Sequence, residues 1–138
     1  MALLPELDKR KTRENVRQFF EDEFPRLQQQ AHISFVDVKS PIISGMPGGA
    51  HDGNATDIKL SIHTQAKVYV QAVLDAFAGM TQPYRHFMEL RYFNNLTWDQ
   101  VCERTGYSTR RGQEIINEAF LMFAEGFADT YDFRVMKA

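Results

Sequence analysis

The stretch from Leu96 to Phe123, LTWDQVCERTGYSTRRGQEIINEAFLMF, leaves this chain little choice of local structure. Thr97 is a good N-cap, and Gln100, three residues on, completes a capping box, with Asp99 also in the first turn. Leu96 and Val101 are apolar, and Trp98 can pack beside them. Gly106 suits the left-handed residue that ends a helix, where a side chain would be costly. Ser108 can then cap a second helix whose first turn is Thr109-Arg110-Arg111. Ile115, Ile116, Ala119, Phe120, Phe123 and Phe127 recur at spacings of three and four, which makes one face apolar. Thr109, Arg110, Gln113, Glu114 and Asn117 fall largely on another. The prediction is two helices around a tight turn at Thr105-Gly106-Tyr107.

Polar and basic residues at the start of the second helix give this pair the layout of a helix-turn-helix, whose second helix reads base edges in the DNA major groove with its N-terminal residues. Arg, Gln and Asn have the fork geometry that matches guanine and adenine edges. The expected readers lie between Ser108 and Asn117. The same pattern also serves plain packing of two amphipathic helices. Charge does not decide between the two. From Leu96 to Glu118, Arg104, Arg110 and Arg111 stand against Asp99, Glu103, Glu114 and Glu118, a net charge of −1. Any positive footprint must therefore be local or come from elsewhere in the chain.

At 138 residues the chain fits one domain with an appended arm, and it is long enough for a real core. A composition that is 43% hydrophobic and 12% aromatic argues against global disorder. The formal charge of −2 does not favour indiscriminate nucleic-acid binding. The lone Cys102 cannot form an internal disulfide and is expected as a small packed filler on a helix. With no signal peptide and no apolar run of spanning length, the chain is expected to be cytoplasmic and to have no membrane partner.

The expected fold is mainly α: an N-terminal helix, a flexible Gly/Pro linker, then a helical bundle carrying the helix pair. The divisions are an N-terminal helical arm at 1–35, a linker at 36–57, the bundle at 58–128 and a C-terminal tail at 129–138. From Pro5 to about Gln30 the pattern is helical, with Leu7, Val16, Phe19, Phe20, Phe24 and Leu27 apolar, Asp8 a candidate cap, and Pro25 expected to kink or interrupt the run. Lys9, Arg10, Lys11, Arg13 and Arg17 form a basic cluster that reads either as phosphate contacts or as a solvated helix face. Glu21, Asp22 and Glu23 form an acidic patch. HISFVDV at 32–38 alternates as a short strand or an extended lead would. KSPIISGMPGGAHDGNATD at 39–57 lacks an apolar face, and its GMPGG run is not a phosphate loop because no Gly-Lys-Ser/Thr follows. A second helix starting at Asp57 or Ser61 has Ile62, Ala66, Val70, Val73, Leu74 and Phe77 as its stripe and Gly79 at its end. Pro83 opens a third, with Phe87, Leu90 and Phe93 inward, and Asn94-Asn95 breaks it. The tail DTYDFRVMKA carries no strong signal; its aromatics dock on a partner or fray.

Catalytic and metal chemistry find no footing. His32, His51, His63 and His86 are scattered, without a metal-like spacing to a Cys or to one another. His51-Asp52 sits in the Gly-rich stretch and reads as a solvated loop. There is no GxSxG, and acidic pairs such as Glu21 and Glu23 lie on exposed-looking faces. The chain is expected not to be an enzyme and to take no cofactor.

Residues 81–123 resemble the C-terminal DNA-binding domain of bacterial sigma factors: ELRYF precedes the motif, LTxxxV forms the first helix, G-x-S stands at the turn, and I-x-x-E/A-A-F/L lies in the second helix. Over a longer span the match is to another family. The opening LLPELDKRKTRENVRQFF, a middle SP…G linker, a helix, and a sigma-like motif with YS-x-R at its turn resemble, in order, the ArpU family of phage transcriptional regulators. This resemblance implies a small phage or prophage protein that regulates late genes for packaging and lysis in a bacterial host. It implies binding of double-stranded DNA through Ser108, Thr109, Arg110, Arg111, Gln113, Glu114 and Asn117, with RNA polymerase as a further candidate partner and a homodimer as a candidate state. Competing readings are a small-terminase-like packaging component and a polymerase-docking module that does not touch DNA. Gly112 departs from the pattern, since such helices usually carry a larger apolar residue there. A mid-helix Gly costs about 1 kcal/mol relative to Ala. Either the backbone approaches something closely at Gly112, or the second helix is less rigid until bound.

Overall fold

The computed structural model describes residues 3–31 and 54–137. Asp8 caps the first helix by accepting from the Lys11 backbone N–H at 3.2 Å. Helix α1 (Lys9–Gln18) runs through a π-helical turn (Phe19–Glu23) directly into α2 (Phe24–Ala31). Helix α3 (Asn54–Ala78) follows, then α4 (Tyr84–Met88), which continues into a second π-helical turn (Glu89–Phe93). Two further helices, α5 (Trp98–Thr105) and α6 (Thr109–Gly126), follow among the described residues. The mainly helical expectation holds. The stretch 32–38, the greater part of the linker expected at 36–57 and His51-Asp52 lie outside the described residues; Asn54 to Asp57 already belong to α3.

Pro25 interrupts the first helical run without breaking it. Proline lacks an N–H and crowds the carbonyl four residues back. The chain widens immediately before it, the Phe24 N–H reaching the Phe19 carbonyl five residues back. A π bulge beside a proline is one of the few identifiable causes of a bend. The helix also starts later than expected. Pro5 to Asp8 is extended, and Leu7 pairs in an antiparallel bridge with Met136 rather than lining a helix. At the far end of α4, Asn94 closes the wide turn onto the Glu89 carbonyl at 2.8 Å, and Asn95 takes a left-handed φ of 56°. Asn tolerates that region because its short polar side chain bonds locally.

The described buried residues form one cluster to which each of these helices contributes. α1 packs along α6, α2 along α3, and α4 against α6. Phe19 and Phe20 meet Phe77, Phe120 and Phe123 at ring separations between 4.8 and 6.3 Å, and Phe24 packs on Phe20 at 5.4 Å and Phe93 at 6.1 Å. Tyr92 stacks on Phe20 at 4.9 Å and lies 5.8 Å from Phe120. The expected stripe of α3 holds at Ala66, Val70, Val73 and Phe77, with Leu74 packed at its margin, but Ile62 is exposed.

The tail is a strap. Phe133 packs on Phe19 at 5.0 Å and on Phe127 at 5.9 Å. The Val135 N–H donates to Thr12 Oγ1 at 3.0 Å, and the Asp8 N–H donates to the Val135 carbonyl at 2.7 Å. Thr12, fully buried, is thereby satisfied. Arg134 ties the strap to Asp132 at 2.8 Å and to Glu125 at 3.1 Å, and this guanidinium holds the Asp132 carboxyl below its usual range.

Truncating Phe20 to Ala should lower the unfolding free energy by about 3–5 kcal/mol, the usual cost of emptying a buried aromatic site. Urea denaturation followed by circular dichroism reads this; a loss below about 1 kcal/mol would mean that the first π-helical turn does not share the cooperative core. A second outcome concerns Tyr92, whose burial pushes its phenol up to about 12. Below pH 10 the group is neutral in folded and unfolded chains alike. Between pH 10 and 12 the unfolded chain ionises first, so stability is lost as pH rises through that window. Tyr92→Phe should remove about 2 kcal/mol of that alkaline loss, measured by denaturation at pH 8 and pH 11.5. An equal loss in both proteins would place the dependence elsewhere.

Candidate nucleic-acid interface

The α5–α6 pair is assembled by short-range chemistry. Thr97 Oγ1 accepts from the Gln100 N–H at 3.3 Å, and Gln100 Oε1 accepts from the Thr97 N–H at 2.9 Å, a complete capping box. Gly106 ends α5 at φ 77°, its N–H reaching the Cys102 carbonyl at 2.8 Å. The Thr105 hydroxyl donates to the Val101 carbonyl at 2.8 Å and accepts from the Tyr107 N–H at 3.3 Å. Ser108 Oγ accepts from the Arg111 N–H at 3.2 Å and caps α6. Residues 106–108 thus join two helices whose ends are each closed by their own residues.

At Gly112, α6 lies against side chains of both α5 and α4. It is buried, and a Cβ placed on it would stand 2.8 Å from Trp98 Cζ3 and 3.3 Å from Phe87 Cε2. Of the two explanations for this glycine, close backbone approach is the one realised. Trp98 is in turn held by Arg91, whose guanidinium lies 5.0 Å from the indole and donates to the Leu96 carbonyl at 2.7 Å. Tyr107 stacks on Phe87 at 5.4 Å, on the other side of the turn. The role of Arg91 was not visible in the sequence, because its partners lie on the loop and helix after it.

The expected reading face is exposed but not idle. Ser108, Thr109, Arg110, Arg111, Gln113 and Glu114 are all exposed. Glu114 serves two arginines, 3.1 Å from Arg111 Nη1 and 3.8 Å from Arg110 Nε. Thr109 Oγ1 lies 3.3 Å from Cys102 Sγ, so Cys102 is a half-buried group at the helix junction rather than a core filler. Asn117 is half-buried, and its Oδ1 accepts from Arg17 Nη2 at 2.7 Å. Arg17 also lies 5.6 Å over the Phe120 ring. Two residues singled out on separate grounds, 100 positions apart, are therefore bonded. Of the rest of the basic cluster, Arg10 pairs with Glu14 at 3.6 Å and Lys11 with Asp8 at 4.0 Å. Lys9 is exposed and Arg13 half-buried. One further contact went unforeseen. The Tyr84 hydroxyl donates to Glu118, and this acceptor, with its negative charge, raises the phenol above its usual range. It fastens the start of α4 to the middle of α6.

Compared with known proteins, the chain is 30% identical over 132 residues to a protein of Enterococcus hirae that carries the provisional name autolysin regulatory protein ArpU. The alignment covers 92% of this chain and 93% of that protein. The chain belongs to the ArpU family. No family model matches it, and no solved structure matches it either. The cap, the left-handed glycine and the glycine under the indole are thus features of an ArpU-family chain.

Gly112→Ala should destabilise this protein by about 1–3 kcal/mol, because overpacking against Trp98 and Phe87 outweighs the gain of roughly 1 kcal/mol in helix propensity. Gln113→Ala, one residue on and exposed, should stay within about 0.5 kcal/mol of the parent. Thermal unfolding of both variants checks this; a Gly112→Ala protein more stable than the parent would show that the indole has room to move.

Proposed function

We propose that this ArpU-family chain is a transcriptional regulator that binds double-stranded DNA, with α5 and α6 acting as a helix-turn-helix. The observation that carries the reading is the division of α6. Ile115, Ile116, Ala119, Phe120, Phe123 and Ala124 supply the core, while around the buried Gly112 the residues Ser108 to Arg111, Gln113 and Glu114 project with polar and basic side chains. That is the arrangement in which a second helix enters the major groove by its N-terminal turns. Arg110 and Arg111 contact guanine edges or phosphate, Gln113 reads a base, and Ser108 and Thr109 hold phosphate at the helix start. Asn117 Oδ1 has two lone pairs, so Asn117 can accept from an adenine amino group while Arg17 braces it from the other side. Lys9, Arg10, Lys11 and Arg13 add backbone contacts where the DNA passes them.

Family membership supports the regulatory part of the reading, and the name of the Enterococcus hirae relative places that protein in autolysin regulation. The resemblance to phage regulators extends this to late packaging and lysis genes, acting in the bacterial cytoplasm. No described helix is long and apolar enough to cross a membrane. A second reading has one observation in its favour. Glu114 pairs with both Arg110 and Arg111 and offsets one of their two charges, and the net charge of −1 from Leu96 to Glu118 makes a near-neutral surface suited to docking on RNA polymerase.

Selection of bound fragments from the phage genome at about 150 mM salt tests the proposal, since affinity without stated salt means little. Enrichment of a site upstream of a late operon is the expected result. Failure to enrich any fragment, with polymerase captured by the same protein, would favour docking without DNA contact. Arg110→Ala should weaken the selected site by about 1–3 kcal/mol and relax one base position if the contact is to a base. If the contact is to phosphate, all sequences weaken alike and the salt slope falls by about one. An unchanged binding curve would remove Arg110 from the interface.

A further inference from the structure

Away from the α5–α6 surface, the first π-helical turn, α3 and the strap enclose a cavity of about 280 Å³. Five of its walls are aromatic: Phe19, Tyr69, Phe127, Tyr131 and Phe133. The rings are close set. Tyr131 lies 4.7 Å from Phe133, Phe133 lies 5.0 Å from Phe19, and Phe127 stacks on Phe133 at 5.9 Å. Glu23 is the charged group in the lining. It also borders the two neighbouring hollows, so one carboxylate stands where all three meet.

The wide turn explains the arrangement. An ordinary helix sets residues four apart about 40° out of line, whereas a turn with an extra residue brings them closer to one face. Phe19 and Glu23, four apart across this turn, both reach the same cavity. Glu23 makes no ion pair among the described residues, and neither do Glu21 and Asp22 beside it. Of the other charges nearby, Asp132 is paired with Arg134, and Arg26 shares with Glu23 the adjoining hollow on the α2–α3 side without an ion pair between them. Tyr131 is 61% exposed, so the ring that closes the mouth is accessible from solvent.

Aromatic faces carry a negative quadrupole and attract a cation held over them, most strongly where water is excluded. A carboxylate with no internal partner adds a full negative charge. Acidic ligands and DNA phosphates are repelled by the same features. The volume suits one side chain rather than a drug-sized ligand. We propose that this cavity is a receptor for the arginine or lysine side chain of a partner protein, the cationic head meeting Glu23 and the aliphatic stem lying among the five rings. The inference uses the acidic turn that the DNA reading leaves aside, and it stands whether or not α6 reads DNA.

The test is heteronuclear NMR of the full chain titrated, into the millimolar range, with N-acetyl-arginine methylamide, N-acetyl-lysine methylamide and, as the uncharged control, N-acetyl-norleucine methylamide. Saturable shifts confined to the surroundings of Glu23, Tyr69, Tyr131 and Phe133 are expected for the two cations, with norleucine markedly weaker. Glu23→Gln should weaken the cationic probes about threefold, the usual effect of losing one exposed charge pair, and leave norleucine unchanged. Both Glu23 and Tyr131 are exposed, so neither Glu23→Gln nor Tyr131→Ala should disturb the rest of the spectrum, which serves as the control on folding. Norleucine binding as well as arginine, shifts that never saturate, or arginine binding unaffected by both substitutions would each overturn the proposal.

Discussion

The Phe123 ring has an aromatic neighbour on almost every side. Phe20 stands 4.8 Å away from the π-helical turn, Phe77 5.9 Å away from α3, and Phe127 4.9 Å away from just beyond the end of α6. Phe19 and Phe133 of the strap lie a little farther, at 6.2 and 6.4 Å. Edge-to-face and offset pairs of this kind contribute roughly 0.5–1.5 kcal/mol each beyond the area they bury. More important is what they connect. Without Phe123 the first helical run, α3 and the strap would lose the one ring they all share. The exposed half of α6 depends on this. A helix that projects polar residues at its N-terminus is stiff only if its other half is fixed, and Ile115 to Phe127 are fixed by these rings.

The two π-helical turns re-aim side chains at the points where a regular helix would misplace them. In the first, the extra residue lets Phe19 and Phe20 both point inward although they are adjacent in sequence, one toward the strap and the other toward Tyr92 and Phe120. In the second, the widened turn ends α4 so that Arg91 faces the Leu96 carbonyl and the Trp98 indole. Trp98 then bears on Gly112, the position at which α5, α4 and α6 approach. The angle between α5 and α6 is thus set in part from outside the pair, by Arg91 and Phe87 acting with Trp98 of α5, as much as by the turn at Gly106.

What the sequence revealed, and what it hid, divides by distance along the chain. The capping box at Thr97, the left-handed Gly106, the Ser108 cap and the apolar face of α6 are local, and each residue type announces its role within four positions. The helical stripes of α3 and α4 were legible for the same reason, except at Ile62, where periodicity marks a face but not where the covering neighbour stops. Gly112 was visible as an anomaly only; that Trp98 causes it depends on how two helices cross. The Arg17–Asn117 bond, the Tyr84–Glu118 bond and the docking of Phe133 join residues up to 118 positions apart in the case of Asn15 and the Phe133 carbonyl. No spacing rule reaches that far. The strap was the least legible element, because a short segment without periodicity acquires its place entirely from what it packs on.

The electrostatics of the α5–α6 surface bear on what kind of DNA binding it would support. Arg110 and Arg111 are both held by Glu114, but all three side chains are at least half exposed. Exposed ion pairs contribute little, typically under about 1 kcal/mol. Exchanging Glu114 for a phosphate or a guanine edge therefore costs the arginines little, while the carboxylate remains to repel any backbone that it meets unpaired. Glu114 can itself accept from a cytosine amino group. A surface with this balance lacks the strong positive field that holds proteins on DNA of any sequence. Its affinity would have to come from the few edges it matches, and a mismatched site would leave Glu114 facing phosphate or an unsatisfied base. The same carboxylate that weakens general attraction would then sharpen discrimination, and under the proposed function that would reconcile a net charge of −2 with a reading helix.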